Sequence, residues 1–156
     1  MTEEKHITIG DILDCKNIII ERKGFKDLKS LIDFSVSKIS PFLPERFTPE
    51  NIKERLEVTN LDYSVFENGL FIPHLKLEDL DDFKSILIIT PNPVKDNRIK
   101  HSIFITFMFF SPLSSDFFDK HLKILSSITQ SFRDNIPKLI SMNSPSEICS
   151  YIKSIR

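Results

Sequence analysis

Residues 67–76 read Glu-Asn-Gly-Leu-Phe-Ile-Pro-His-Leu-Lys. Asn68-Gly69 is a turn signal, because both residue types tolerate positive φ. Leu70-Phe71-Ile72 is a short apolar run with the character of a strand. Pro73 ends ladder pairing there, since it has no N–H to donate. His74 therefore sits where the strand gives out, behind a rigid residue. Lys76, two positions on, points to the same side as His74 in extended chain. A histidine placed this way has little backbone freedom, and reactive groups need such support. Taken alone, the segment also fits a surface loop that happens to contain a histidine.

Working outward, the pattern is one of short strands mixed with helices. Upstream, Ile7–Leu13 is an apolar-rich lead-in, and Asn17–Glu21 holds an isoleucine run that reads as a first strand. Lys23-Gly24 turns the chain. From Phe25 the apolar residues Leu28, Leu31, Ile32, Val36, Ile39, Phe42 and Leu43 recur at helical spacing, and Pro41 and Pro44 limit that helix. Thr48-Pro49-Glu50 is a fresh helix start, with Thr as N-cap and Pro in the first turn, and that helix runs to about Val58. A turn-rich passage from Asn60 to Asn68 leads to the His74 segment.

Downstream, Glu78–Asp82 is a charged link and Ser85–Thr90 a strand. Pro91-Asn92-Pro93 and Lys95–Arg98 are expected to form a loop. Ile103–Phe110 is almost wholly apolar, as a strand covered on both faces would be. Ser115 is expected to cap a helix from Asp116 to about Arg133, with Phe118, Leu122, Leu125, Ile128 and Phe132 as its apolar stripe. Ile136–Met142 is a further helical piece. Ser144-Pro145-Ser146-Glu147 has the form of a capping box that opens a last helix to Ile155. Strands and helices mix without strict alternation. The expected class is therefore α/β: one domain over residues 1–156, a mixed sheet of about five strands, and helices on both faces.

Composition narrows the function. The 156 residues are 40% apolar and 28% charged, which suits one folded, soluble domain. Fourteen Phe and no Trp put much of the core into phenylalanine, and three Gly leave no Gly-rich phosphate cradle. A net charge of −1 with interspersed signs gives no support to a nucleic-acid binder. No apolar stretch is long enough to span a membrane, and the polar start Met-Thr-Glu-Glu-Lys-His does not read as a signal peptide. Cys15 and Cys149 lie in no metal-binding pattern, so two free thiols in a reducing cytosol are expected.

The Asn68-Gly69…Ile72-Pro73-His74-x-Lys76 segment resembles the active-site segment of the fructose/mannitol/nitrogen-regulatory (type-2) IIA proteins of the bacterial phosphotransferase system. Glu67 and Phe71 depart from that pattern, where the family has glycine and alanine. The resemblance runs along the whole chain. An apolar strand ending in proline, Phe107–Pro112, is followed by His121-Leu122 in a helix, and the tail resembles the family's short helix and Ser-x-x-Glu-capped helix. The resemblance implies a cytoplasmic phosphocarrier with no cofactor and no metal. It implies that His74 takes a phosphoryl group from HPr or its nitrogen-branch relative and hands it to a IIB domain or uses it as a regulatory signal. His121 matches the family's second active-site histidine and is expected beside His74, since it shares a helix face with Leu125 and Phe118. Lys76 and Arg55 are the candidate positive charges, and Asn68 and Gly69 shape the loop.

One departure matters. The family usually has an arginine sixteen positions before the reactive histidine, and Val58 stands there in this chain. Either Arg55 or Lys76 takes over its role, or transfer is slow, or the chain acts as a partner-binding regulator of the same fold.

Overall fold

The computed structural model describes residues 8–58 and 65–154, with the side chain of Val58 excepted. Ile7, most of the turn-rich passage that begins at Asn60, and Ile155 lie outside the described residues. The elements in order are α1 (Ile9–Ile12), β1 (Ile18–Ile20), α2 (Leu28–Ile39), α3 (Pro49–Val58), β2 (Leu70–Phe71), β3 (His74–Leu77), β4 (Lys84–Val94), β5 (Ile103–Pro112), α4 (Phe118–Phe132), α5 (Ile136–Ile140) and α6 (Pro145–Ser154). The five strands form one mixed sheet in the order β1-β4-β5, with β2 and β3 both on the outer side of β5. β4 and β5 are antiparallel, whereas β1 runs parallel to β4, and β2 and β3 run parallel to β5.

The two central strands are buried on both faces, and their alternation decides which helices cover which side. Leu87, Ile89, Ile105, Phe107 and Phe109 pack with Ile9 of α1, with Ile124, Ile128 and Phe132 of α4, and with residues of α5 and α6. The intervening Ile86, Ile88, Met108 and Phe110 pack with Val36 and Ile39 of α2 and with Ile52 and Leu56 of α3. Phe71, Phe107, Phe109, Phe110 and Phe132 are among the largest fully buried side chains, as the phenylalanine-rich composition led us to expect. The helix starts follow local chemistry. Asp27 accepts from Ser30 N–H at the head of α2, Thr48 Oγ1 from Asn51 N–H at α3, and Ser144 Oγ from Glu147 N–H at α6.

Four expectations need correction. His74 does not end a strand. Pairing with β5 resumes at His74, and the partner offset is the same on both sides of Pro73, so the proline interrupts the ladder without shifting its register. Nor does β4 stop at Thr90. It runs through Pro91 and Pro93 to Val94, with a register irregularity between Ile89 and Val94. This is tolerated because β1 pairs no further along β4 than Ile89, so no neighbour on that side needs the missing N–H groups.

The stripe of α4 is also rotated. Its buried residues are His121, Ile124, Ile128 and Phe132, while Leu125 is only partly buried and Phe118 and Leu122 are 44% and 65% exposed. The helix proper begins later than expected, after a 3₁₀ turn over Ser115–Phe117 whose cap is Ser114 rather than Ser115. Finally, Cys15 and Cys149 are not free thiols but are joined as a disulfide. Although 134 residues apart in sequence, they are brought to a Cα separation of 5.6 Å because α6 lies against the start of β1, and that separation suits a bridge.

Candidate functional site

The β3–β5 register sets His74 opposite Phe109. The His74 ring lies nearly parallel to the buried Phe109 ring, with centroids 5.5 Å apart and planes 11° apart. Phe109 faces the helix layer that contains α4, so His74 faces that layer too. There His121, in the first turn of α4, completes a cluster of three rings. Its centroid is 5.3 Å from His74 and 5.2 Å from Phe109. The two histidines are therefore neighbours, although the apolar stripe around His121 is rotated from the expected one.

Hydrogen bonds orient both imidazoles. His74 Nδ1 is 2.7 Å from the carbonyl oxygen of Ile72. A carbonyl oxygen only accepts, so Nδ1 carries the proton and, in the neutral ring, Nε2 holds the free lone pair. The acceptor is available because of strand geometry. Pro73 turns its carbonyl toward β5, where it accepts from Phe109 N–H at 3.1 Å. Successive carbonyls of a strand alternate, so that of Ile72 faces away from the sheet. His121 is almost fully buried, and its Nδ1 is 2.5 Å from Ser111 Oγ. Burial, together with the nearby charges of His74 and Lys76, pushes its pKa from 6.5 down to about 4, so the ring is neutral at pH 7.

Lys76 shares the His74 side of β3, as period-two spacing requires. Its Nζ sits 4.4 Å from the centroid of the exposed Phe118 ring at the head of α4. The positive end of that helix lies over the same region, where anions are favoured. Arg55 is placed differently. Its guanidinium is bidentate on Glu78, with N···O distances of 2.8 and 3.3 Å, and stacks over Phe47 at 5.0 Å. Arg46 shares Glu78 and also pairs with Asp79. The hydrogen bond from Arg55, above all, holds the Glu78 carboxyl down to about 2. Arg55 belongs to α3, which covers the opposite face of the sheet from α4. Of the two expected cations, then, only Lys76 accompanies the imidazoles.

Asn68 and Gly69 act on the strand and do not touch the rings. Asn68 Oδ1 accepts from Leu70 N–H at 3.3 Å. Gly69 has φ +96°, and a Cβ there would meet the Phe104 ring at 2.7 Å. Its carbonyl accepts from both Phe104 and Ile105 N–H, which pins the start of β2 on β5. Three contributors escaped sequence reasoning: the Phe109 floor, the Ile72 carbonyl and Ser111. Ser111 left one signal, a hydroxyl at the end of an almost wholly apolar run. Among the described residues, no group of three His, Cys, Asp or Glu side chains could hold a metal ion.

A model of the family described as phosphoenolpyruvate-dependent sugar phosphotransferase system, EIIA 2, matches residues 11–155. No curated protein sequence matches the chain. Among solved structures, nitrogen regulatory protein IIA-Ntr from Neisseria meningitidis is similar with a TM-score of 0.70 at 17% identity, over 92% of this chain and 98% of that one. IIA mannitol from Escherichia coli is similar with a TM-score of 0.65 at 13% identity, over 90% and 98%. The complex of enzyme IIA-Mtl and phosphorylated enzyme IIB-Mtl, also from Escherichia coli, gives 0.66 at 12% identity, over 91% and 97%. At these identities the structural likeness speaks for the fold.

Proposed function

Because the chain belongs to the EIIA 2 family of the phosphoenolpyruvate-dependent sugar phosphotransferase system, we propose that it is a one-domain phosphohistidine carrier with His74 as its acceptor. The observation that carries this reading is the hydrogen bond from His74 Nδ1–H to the Ile72 carbonyl, which leaves the Nε2 lone pair free beside a neutral His121. The donor is a phosphorylated HPr-like carrier. His74 Nε2 attacks its phosphorus, a new N–P bond forms, and the donor's imidazole leaves with the electron pair of the old one. The same exchange, in reverse sense, delivers the group to a IIB domain or a regulatory target.

Such transfers need alignment and charge stabilisation more than covalent help. Phe109 fixes the plane of the His74 ring, and the Ile72 carbonyl fixes its rotation. His121 serves as a hydrogen-bond donor to a phosphoryl oxygen, and Lys76 supplies positive charge. Asn68 and Gly69 hold the strand that presents the nucleophile. Arg55 is a structural cation in this reading, because Glu78 occupies its guanidinium.

The test is to incubate the purified chain with enzyme I, HPr and labelled phosphoenolpyruvate. An acid-labile label is expected on the wild type and none on His74→Ala. Label retained at the wild-type level on another histidine refutes the assignment. A second reading, that of a partner-binding regulator with impaired transfer, draws on Val58 at the family's arginine position and on the engagement of Arg55 by Glu78. Failure to label the wild type would favour it.

A further inference from the structure

We propose that Ser111 is a positioning residue that fixes His121 as the Nε2–H tautomer, opposite to the tautomer of His74. This rests on the carrier reading above. The hydroxyl of Ser111 is fully buried, and its Oγ is 2.5 Å from His121 Nδ1. A neutral imidazole has one N–H and one lone pair, so the contact admits two assignments. If Nδ1–H donated to Oγ, the serine proton would need another acceptor in the protein interior, and among the described residues Oγ has no other hydrogen bond. A buried donor without an acceptor is unfavourable. If Ser111 O–H donates to Nδ1, both atoms of the contact are satisfied and His121 is left with Nε2–H.

The two partners therefore impose opposite states on two rings 5.3 Å apart. The carbonyl of Ile72 can only accept, so it leaves His74 with a lone pair. The hydroxyl of Ser111 donates, so it leaves His121 with a proton to offer. One ring becomes a nucleophile and the other a donor to phosphoryl oxygen. His121 then does not compete for the phosphoryl group.

The experiment is a long-range ¹H–¹⁵N correlation spectrum of the full chain labelled with ¹⁵N-histidine, at neutral pH. It reads the tautomer of each ring without any phosphoryl donor. The expected result is Nε2–H for His121 and Nδ1–H for His74. An Nδ1–H state at His121 in the wild type overturns the proposal. In Ser111→Ala, His121 should become a mixture of tautomers. The initial rate of His74 labelling should fall about tenfold, less than the ~10²–10³ lost when a donor to a developing oxyanion is removed outright. Ser111→Thr should restore both tautomer and rate. An unchanged tautomer in Ser111→Ala also overturns the proposal. The expected tautomers in a wild type that takes no label from phosphorylated HPr would support the role of Ser111 in setting the ring state and overturn the carrier reading instead.

Discussion

Lowering the pH from about 7.5 to about 4.5 should destabilise this fold through His121 in particular. In the unfolded chain His121 titrates at 6.5, whereas in the fold it is held to about 4 by burial and by the charges of His74 and Lys76 that face it from β3. Above pH 6.5 both states are neutral and His121 has no effect. As the pH falls from 6.5 to 4, the unfolded chain takes up a proton that the native state refuses, so stability is lost across that window. At about 1.4 kcal/mol per unit, the loss is roughly 2.5 kcal/mol at pH ~4.5. That is a large part of a total stability of order 5–15 kcal/mol.

The depressed carboxylates do not confuse the window. Glu78 and Asp96 lose their contribution only as the pH falls below their unfolded values of 4.5 and 3.8. Urea unfolding of the wild type and of His121→Gln at the two pH values isolates the effect. Glutamine is neutral throughout and can still accept from Ser111. The wild type should lose about 2.5 kcal/mol more than the variant. Equal losses would show that His121 is protonated in the native fold, and the account of its burial would fail.

Other substitutions probe the site and the core. His121→Ala should slow labelling of His74 by roughly 10²-fold without moving the label, and His121→Gln should be milder because its amide still donates; an unaltered rate in His121→Ala removes His121 from the mechanism. Ile128→Asp places a carboxylate at a fully buried position and should cost at least about 3 kcal/mol, or on the order of 10 °C in melting temperature, by calorimetry; an unchanged melting curve would mean that α4 packs by another face. Lys76→Met should slow labelling, whereas Arg55→Met should leave the rate intact and lower stability by no more than about 1 kcal/mol, since its partner Glu78 is half-exposed. The reverse ranking of rates would make Arg55 the functional cation.

What could be read from the chain was what neighbours in sequence determine. The Asn68-Gly69 turn, the rigid Pro73-His74 pair and the same-side placement of Lys76 are local, and so are the Thr48 and Ser144 caps. Helical spacing put His121 on an inward face, but only the family resemblance marked it as a site residue rather than a core histidine. That face was misjudged at its edges, because Phe118 begins the helix beside the Lys76 ammonium rather than over the sheet, and Ile124 rather than Leu125 points most directly inward. Hidden features depend on what lies across the fold. Nothing near Arg55 in sequence announces Glu78, 23 residues away, as its partner. Nothing near Pro91 shows that β1 will stop at Ile89 and leave a strand edge that tolerates proline. The pairing of Cys15 with Cys149 follows from where α6 comes to rest, which no spacing rule reveals.

The outward carbonyls beside His74 also bear on self-association. Among the described residues no strand lies beyond β3, and such an edge is the natural template for strand addition by another chain. Here the outward carbonyl of Leu70 is occupied by Phe66 N–H, and that of Ile72 by the His74 imidazole. An incoming strand that paired at Ile72 would have to displace the ring, so strand addition at that residue and a correctly turned His74 exclude each other. The imidazole thus blocks one outward acceptor of that edge. Replacing it with alanine removes the proposed nucleophile and also opens a backbone acceptor to a second molecule.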